Sequence, residues 1–135
     1  MFGKKKQPPI KSLIAQGSCI EGNLRFTDGL RIDGEVFGDI RAVEGGASIL
    51  VISESAIVTG QIYADHVIIN GRVMGSVHAS ELLELQPKAK IMGDVSYKAL
   101  EMHQGAVIFG QLRPTSQVAE EKPILKLAAN NVNSA

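Results

Sequence analysis

Gly71-Arg72-Val73-Met74-Gly75-Ser76-Val77 is the clearest copy of a seven-residue sequence that recurs along the chain. Its pattern is small-x-aliphatic-x-Gly-x-aliphatic. The six copies begin at Ser18, Gly34, Ala56, Gly71, Ala89 and Ala106. Successive copies start 16, 22, 15, 18 and 17 residues apart. Recurrence at a nearly fixed period is typical of a repeat protein, in which each unit stacks on its neighbours.

A second pattern, aliphatic-x-aliphatic, lies between the copies and keeps the same period. Its copies are Leu30-Arg31-Ile32, Leu50-Val51-Ile52, Val67-Ile68-Ile69, Leu83-Glu84-Leu85 and Leu100-Glu101-Met102. Alternation of aliphatic residues with other residues indicates β-strands, because successive side chains of a strand point to opposite faces. A helix would need apolar residues at steps of three and four, and these patterns lack them.

Aligned copies give columns that predict which side chains are buried. The third and seventh positions are always aliphatic and are expected in the core, whereas the sixth is always polar and is expected in solvent. The fifth position is always glycine, where we expect the backbone to bend or to approach a neighbour closely. The sequence therefore predicts an all-β fold, a single parallel β-helix (solenoid) of about six coils with several short strands in each. The 22-residue interval predicts a loop around Glu44-Gly45-Gly46-Ala47.

The fourth column is mostly large and apolar, with Phe37, Met74, Met92 and Phe109 beside Glu21 and Thr59. Strict alternation would point these side chains outward as an exposed lateral stripe. We favour the alternative, in which the chain turns at the neighbouring glycine and they point inward or fill a corner.

Composition and charge divide the chain into three segments and exclude several functions. Residues 1–13 are expected to form a flexible tail, residues 14–113 the β-helical domain, and residues 114–135 a second flexible tail. The formal net charge is zero and the chain has no Trp, which argues against nucleic acid as a partner. Cys19 is the only cysteine, which fits a reducing compartment. We find no signal peptide or spanning segment and expect a cytoplasmic protein.

The two end coils are the predicted interfaces. A terminal coil leaves a row of backbone N–H and C=O groups open beside uncovered aliphatic side chains, and no capping helix is predicted at either end. We therefore expect end-to-end polymerisation through Ile20 and Leu24 at one end. At the other end we expect it through Val107, Ile108, Phe109 and Leu112, in the most apolar copy of the repeat.

The repeats, the tails and the opening Met1-Phe2-Gly3-Lys4-Lys5-Lys6 together resemble the bactofilin family of bacterial cytoskeletal proteins. The resemblance implies a right-handed β-helix between disordered tails, and polymerisation without nucleotide into non-polar filaments through head-to-head and tail-to-tail contacts. It also implies a peripheral location on the inner face of the cytoplasmic membrane and scaffolding of envelope or cell-shape machinery. Peptidoglycan-synthesis or remodelling proteins are the expected clients. No catalytic residue, metal or cofactor is implied.

The N-terminal tail has the composition of a weak membrane anchor. Insertion of Phe2, with Met1 if it is retained, and attraction of Lys4, Lys5 and Lys6 to an anionic leaflet together contribute roughly 5–8 kcal/mol. One tail would bind reversibly, and a filament that carries many tails would bind far more firmly. The alternative is that the lysines only solubilise a flexible terminus.

The main alternative function is a hexapeptide-type β-helical acyltransferase. Such an enzyme would show an aliphatic residue every six positions in regular 18-residue coils, and a histidine would act as general base. Here the coil length varies, and His66, His78 and His103 lie in no recognisable motif. Their wide spacing gives no metal-ligand signature. The glycines belong to strand repeats rather than to a phosphate-binding loop that opens a helix. We therefore interpret the chain as non-catalytic.

Overall fold

The computed structural model describes residues 8–115 of the 135-residue chain, and these residues form a parallel β-solenoid of six coils. The strands are β1 (Ile10–Ile14), β2 (Cys19–Glu21), β3 (Leu24–Phe26), β4 (Asp28–Ile32), β5 (Glu35–Phe37), β6 (Ile40–Ala42), β7 (Ser48–Ile52), β8 (Ile57–Thr59), β9 (Ile62–Ile69), β10 (Arg72–Met74), β11 (Val77–Leu85), β12 (Lys90–Met92), β13 (Val95–Met102), β14 (Val107–Phe109) and β15 (Leu112–Pro114). Within the described residues every strand pairing is parallel and no helix occurs, which confirms the predicted fold class.

Each coil contributes one strand segment to each of three faces. Face 1 contains β1, β4, β7 and the C-terminal halves of β9, β11 and β13, whose aliphatic-x-aliphatic patterns stack on one another. Face 2 is the six-stranded sheet β2-β5-β8-β10-β12-β14. Face 3 contains β3, β6, the N-terminal halves of β9, β11 and β13, and β15. At the usual spacing between strands, six coils make a rod roughly 25–30 Å long.

The observed register is the one that the repeats predict. On face 2, Val73 lies between Val58 and Ile91, and these third-column side chains are fully buried. On face 3, Val77 lies between Ile62 and Val95, which are also fully buried. Apolar side chains from the three faces meet in a single core along the axis of the rod. Since one coil cannot cover its own aliphatic residues, the stack stabilises itself only as a unit.

Coil length varies mainly because the turns differ in length, and β11 adds one residue between Ala79 and Leu82, where its register with β9 and β13 shifts. Two residues join β4 to β5 and β9 to β10, whereas four join β7 to β8 and β11 to β12. The longest interval contains the loop 43–47 between β6 and β7, where an insertion was predicted.

The glycine column forms the corner between faces 2 and 3. Gly75 has φ +151°, and a Cβ placed there would overlap the carbonyl oxygen of Gly60 in the preceding coil. Gly60 has the same relation to Gly38. Glycine is therefore required for two reasons. It adopts a backbone angle that other residues rarely adopt, and it lets successive corners stack closely.

The polar sixth column also has a structural role that its composition did not reveal. Asn23 Oδ1 accepts a hydrogen bond from the Asp39 backbone N–H at 2.9 Å, and Asp39 Oδ1 accepts one from the Gln61 N–H at 2.9 Å. In the same way, Asp94 Oδ1 accepts a hydrogen bond from the Gln111 backbone N–H at 2.9 Å. These side chains satisfy backbone donors at the corner, where the strand ladder is interrupted.

Candidate polymerisation surfaces

Both ends of the rod carry unpaired strand edges. Within residues 8–115, the first coil uses only one edge of each strand, because β1 pairs with β4, β2 with β5 and β3 with β6. At the opposite end, β14, β15 and the segment 99–102 of β13 each pair only with the preceding coil in the described part of the chain. These edges present backbone N–H and C=O groups that a further strand could pair with.

The interior columns come to the surface at the first coil. Ile20 and Leu24 are half-buried, although Val36 and Ile40, one coil further along, are fully buried. Ile14 continues the face 1 interior column and is also half-buried. The three side chains belong to three faces, so together they form an apolar patch across the end of the rod.

The last coil exposes a similar patch. Ile108 is half-buried and Leu112 is 45% exposed, and both continue interior columns. Face 1 adds Leu100, which is half-buried, and Met102, which is 45% exposed. The predicted interface does not include Leu100 and Met102, although the aliphatic-x-aliphatic pattern contains both.

Val107 and Phe109 belong to the last coil but lie in the outward columns of face 2. In the register between β12 and β14, Val107 is the neighbour of Lys90 and Phe109 is the neighbour of Met92. Phe109 is 62% exposed. The structure therefore separates the six predicted interface residues into two groups. Ile20, Leu24, Ile108 and Leu112 lie in the interior columns at the rod ends, and Val107 and Phe109 lie on the side of the rod.

The fourth column forms an exposed stripe, so the inward orientation that we favoured is wrong. Phe37 is 45% exposed, Met74 37%, Met92 52% and Phe109 62%, and register places Thr59 between Phe37 and Met74. The physical reason is that the bend begins only at the glycine that follows. Strict alternation therefore holds through each three-residue strand.

The three histidines lie apart and do not assemble a catalytic group. His66 is half-buried, and its Nδ1 has no hydrogen-bond partner. His78 stacks on Tyr63 with ring centroids 4.5 Å apart, and the guanidinium of Arg41, in the coil before Tyr63, lies 4.0 Å from the Tyr63 centroid. Burial, and secondarily the positive charge of Arg41, lowers the pKa of His78. Within residues 8–115 no Ser or Thr hydroxyl forms a hydrogen bond with any of these rings.

His103 belongs to a group that spacing along the sequence did not predict. Its Nε2 lies 3.2 Å from Glu84 Oε2, and Glu101 is the register neighbour of Glu84 on face 1. One potential ligand atom from each residue lies within 4.8 Å of the others. Stacking of coils brings together residues up to 19 positions apart. We assign no ion to this group, because its side chains are exposed or half-exposed and such surface groups are common without a metal.

The predicted membrane-binding residues Met1, Phe2, Lys4, Lys5 and Lys6 lie outside the described residues. In the part of the chain that the structure describes, no helix is long and apolar enough to cross a membrane.

Comparison with known proteins agrees with the fold and the repeat. A family model described as "Bactofilin: Polymer-forming cytoskeletal" matches residues 12–113. The chain is 29% identical over 111 residues to bactofilin BacO of Myxococcus xanthus (strain DK1622), which covers 82% of this chain and 85% of the relative. It is 23% identical over 123 residues to bactofilin BacP of the same organism, covering 87% of this chain and 50% of that relative. No solved structure matches the chain.

Proposed function

The chain belongs to the bactofilin family of polymer-forming cytoskeletal proteins, and on that basis we propose that its six-coil rods join end to end into filaments without a nucleotide. The observation that carries the proposal is the pair of rod ends, each with three open strand segments and a partly exposed apolar patch. Pairing of such ends would continue the β-ladder from one molecule to the next. Burial of four aliphatic side chains at a junction contributes roughly 6–12 kcal/mol before ordering costs.

The end contacts can be tested with two substitutions of similarly exposed residues. Leu112, 45% exposed at the last coil, lies in the proposed junction, whereas Val43, 43% exposed in the loop 43–47, follows the second coil and belongs to neither terminal coil. We expect the unsubstituted chain and Val43→Arg to form filaments without nucleotide, as seen by negative-stain microscopy. Leu112→Arg should remain as small soluble species, because a junction cannot bury an unpaired charge. Unchanged filaments of Leu112→Arg would contradict the end-to-end contact.

We further propose that residues 1–6 attach the filament to the inner face of the cytoplasmic membrane. Support comes from the composition of the tail, in which Phe2 and the three lysines can insert into and attract an anionic leaflet. The effect is weak for one tail and multiplies along a polymer, so assembly and membrane binding should reinforce each other.

The membrane proposal predicts co-flotation of polymer with anionic vesicles, weaker flotation of Leu112→Arg, and loss of flotation when residues 1–6 are deleted. Replacement of Lys4, Lys5 and Lys6 by Gln should reduce flotation mainly on anionic vesicles, whereas Phe2→Ser should reduce it on all vesicles. If deletion of residues 1–6 leaves flotation of the polymer unchanged, the anchor lies elsewhere.

The filament would then serve as a non-catalytic scaffold for peptidoglycan-synthesis or remodelling proteins. A fluorescent fusion of the intact chain should concentrate at the cell envelope, and the Leu112→Arg variant should spread through the cytoplasm. If Leu112→Arg abolished filaments in vitro but left the envelope localisation and cell shape unchanged, the scaffold function would not depend on the polymer.

A further inference from the structure

The outward side of face 2 combines an apolar stripe with separated charges. The lateral stripe, defined as Phe37, Met74, Met92 and Phe109, lies in the fourth column. The second column runs beside it on the same sheet and contains Cys19, Glu35, Ile57, Arg72, Lys90 and Val107. Large exposed apolar side chains in line on one sheet face are typical of an interaction surface.

The charges on face 2 change sign along the rod. Glu21 and Glu35 lie on the first two coils, whereas Arg72 and Lys90 lie on the fourth and fifth. Among residues 8–115, several surface charges elsewhere pair within the chain, as in Lys11–Asp28 and Lys88–Glu54. In the same described region none of the four face 2 charges forms an ion pair or a side-chain hydrogen bond. A surface with this polarity is complementary to itself only when it is reversed.

We propose that face 2 packs against face 2 of a second copy of this chain, with the two rods antiparallel. A two-fold axis at mid-rod places coil 2 opposite coil 5, so that Glu35 faces Lys90 and Phe37 faces Met92. It places coil 3 opposite coil 4, where Met74 faces Thr59. It also places Glu21 opposite Phe109, and Arg72 opposite Ile57, one coil away from Glu35 of the partner. A parallel pair would instead set Glu35 against Phe37 and Lys90 against Met92 and would match no opposite charges.

The size of the face indicates when this contact forms. Six strands at about 4.8 Å, each three residues long, give roughly 300 Å² per rod. A typical stable interface needs about 800 Å² from each partner. A single pair of rods is therefore weak, and lateral pairing becomes stable when many rods are already joined end to end. The inference thus rests on the proposed end-to-end polymer and specifies how two such filaments associate side by side.

Charge exchange tests the pairing without disturbing the core, because both positions lie on the outer surface of the rod. Glu35→Lys sets like charges opposite each other twice in every rod pair, and Lys90→Glu does the same. Each variant should lower the fraction of paired or bundled filaments about tenfold at low salt. The double variant Glu35→Lys with Lys90→Glu should restore pairing, since it only exchanges the partners. Negative-stain filament width and low-speed pelleting measure the change.

A disulfide experiment tests the antiparallel orientation. Within one rod, positions 35 and 90 are three coils apart, about 14 Å, which exceeds the reach of a disulfide. In a Cys19→Ser background, Glu35→Cys combined with Lys90→Cys should therefore give covalent dimers upon mild oxidation of filaments. Glu35→Cys combined with Glu101→Cys, which lies on face 1, is the matched control and should not.

The outcomes separate this inference from the proposed function. Single filaments from the unsubstituted chain, or filament pairs whose width does not respond to either charge reversal, would overturn the lateral contact and leave the end contact standing. Covalent dimers from Glu35→Cys combined with Phe37→Cys would show a parallel pair and would also overturn it. Absence of any filament would overturn both.

Discussion

The glycine column offers the sharpest test of how the coils stack, because three glycines differ in what an added methyl group would meet. At Gly75, alanine would have to adopt φ +151°, and its Cβ would overlap the Gly60 carbonyl group, whose carbon would be 2.6 Å away. Gly60 cannot retreat easily, because its own N–H donates to the Met74 carbonyl at 2.9 Å. The backbone term costs about 1–3 kcal/mol and the overlap a similar amount.

Substitutions at Gly22 and Gly46 separate the cost of the backbone angle from the cost of the steric overlap. Gly22 has φ +126° but no atom within 4 Å of an added Cβ, because no described coil precedes it. Gly22→Ala should therefore carry only the backbone cost, about 1–3 kcal/mol. Gly46 has neither a positive φ nor a neighbour within 4 Å, so Gly46→Ala should be neutral or stabilising by up to about 1 kcal/mol. Gly75→Ala should cost the most, roughly 2–6 kcal/mol.

Urea unfolding followed by circular dichroism would measure the series. All variants should be compared at one protein concentration, because assembly stabilises the folded chain. For a domain of this size, the expected loss at Gly75 lowers the Tm by at least about 8 °C. If Gly75→Ala stays within about 1 kcal/mol of Gly46→Ala, the stacked-corner explanation fails. If it matches Gly22→Ala, contact between successive corners contributes nothing.

Five further substitutions test the columns and the pH response by urea unfolding. Ile91→Ala should cost about 2–5 kcal/mol because its side chain is fully buried, whereas Met92→Ala, next to it but 52% exposed, should cost less than about 1 kcal/mol. Asp39→Ala should cost about 1–2 kcal/mol by removing the acceptor for the Gln61 N–H, and Asp39→Asn should restore most of it. Because the folded pKa of His78 is below the ordinary 6.5, the unfolded chain gains that proton first as the pH falls. The free energy of unfolding should therefore decrease below about pH 6.5, and the decrease should be smaller in His78→Gln. An equal pH slope in both proteins would contradict this reasoning.

The sequence located the two rod ends, but it identified only some of the residues that form their surfaces. The columns identified Ile20, Leu24, Ile108 and Leu112, because an interior column must end at the last coil. The same columns assigned Phe109 to the end of the rod, although its side chain points outward from face 2, on the side of the rod. A position within a repeat shows which coil a residue belongs to, and the direction of its side chain depends on where the strand bends.

The sequence by itself determined the fold class, the number of coils and the strand register. Aliphatic residues that recur at one period can all be buried only if the strands stack in phase. Tertiary structure alone decided that Phe37 and Met74 face outward, that Tyr63 stacks on His78, and that Glu84 meets His103. These contacts depend on distances between coils, and the coils contain 15 to 22 residues. With turns of variable length, separation along the chain does not determine which side chains outside the aligned strands meet.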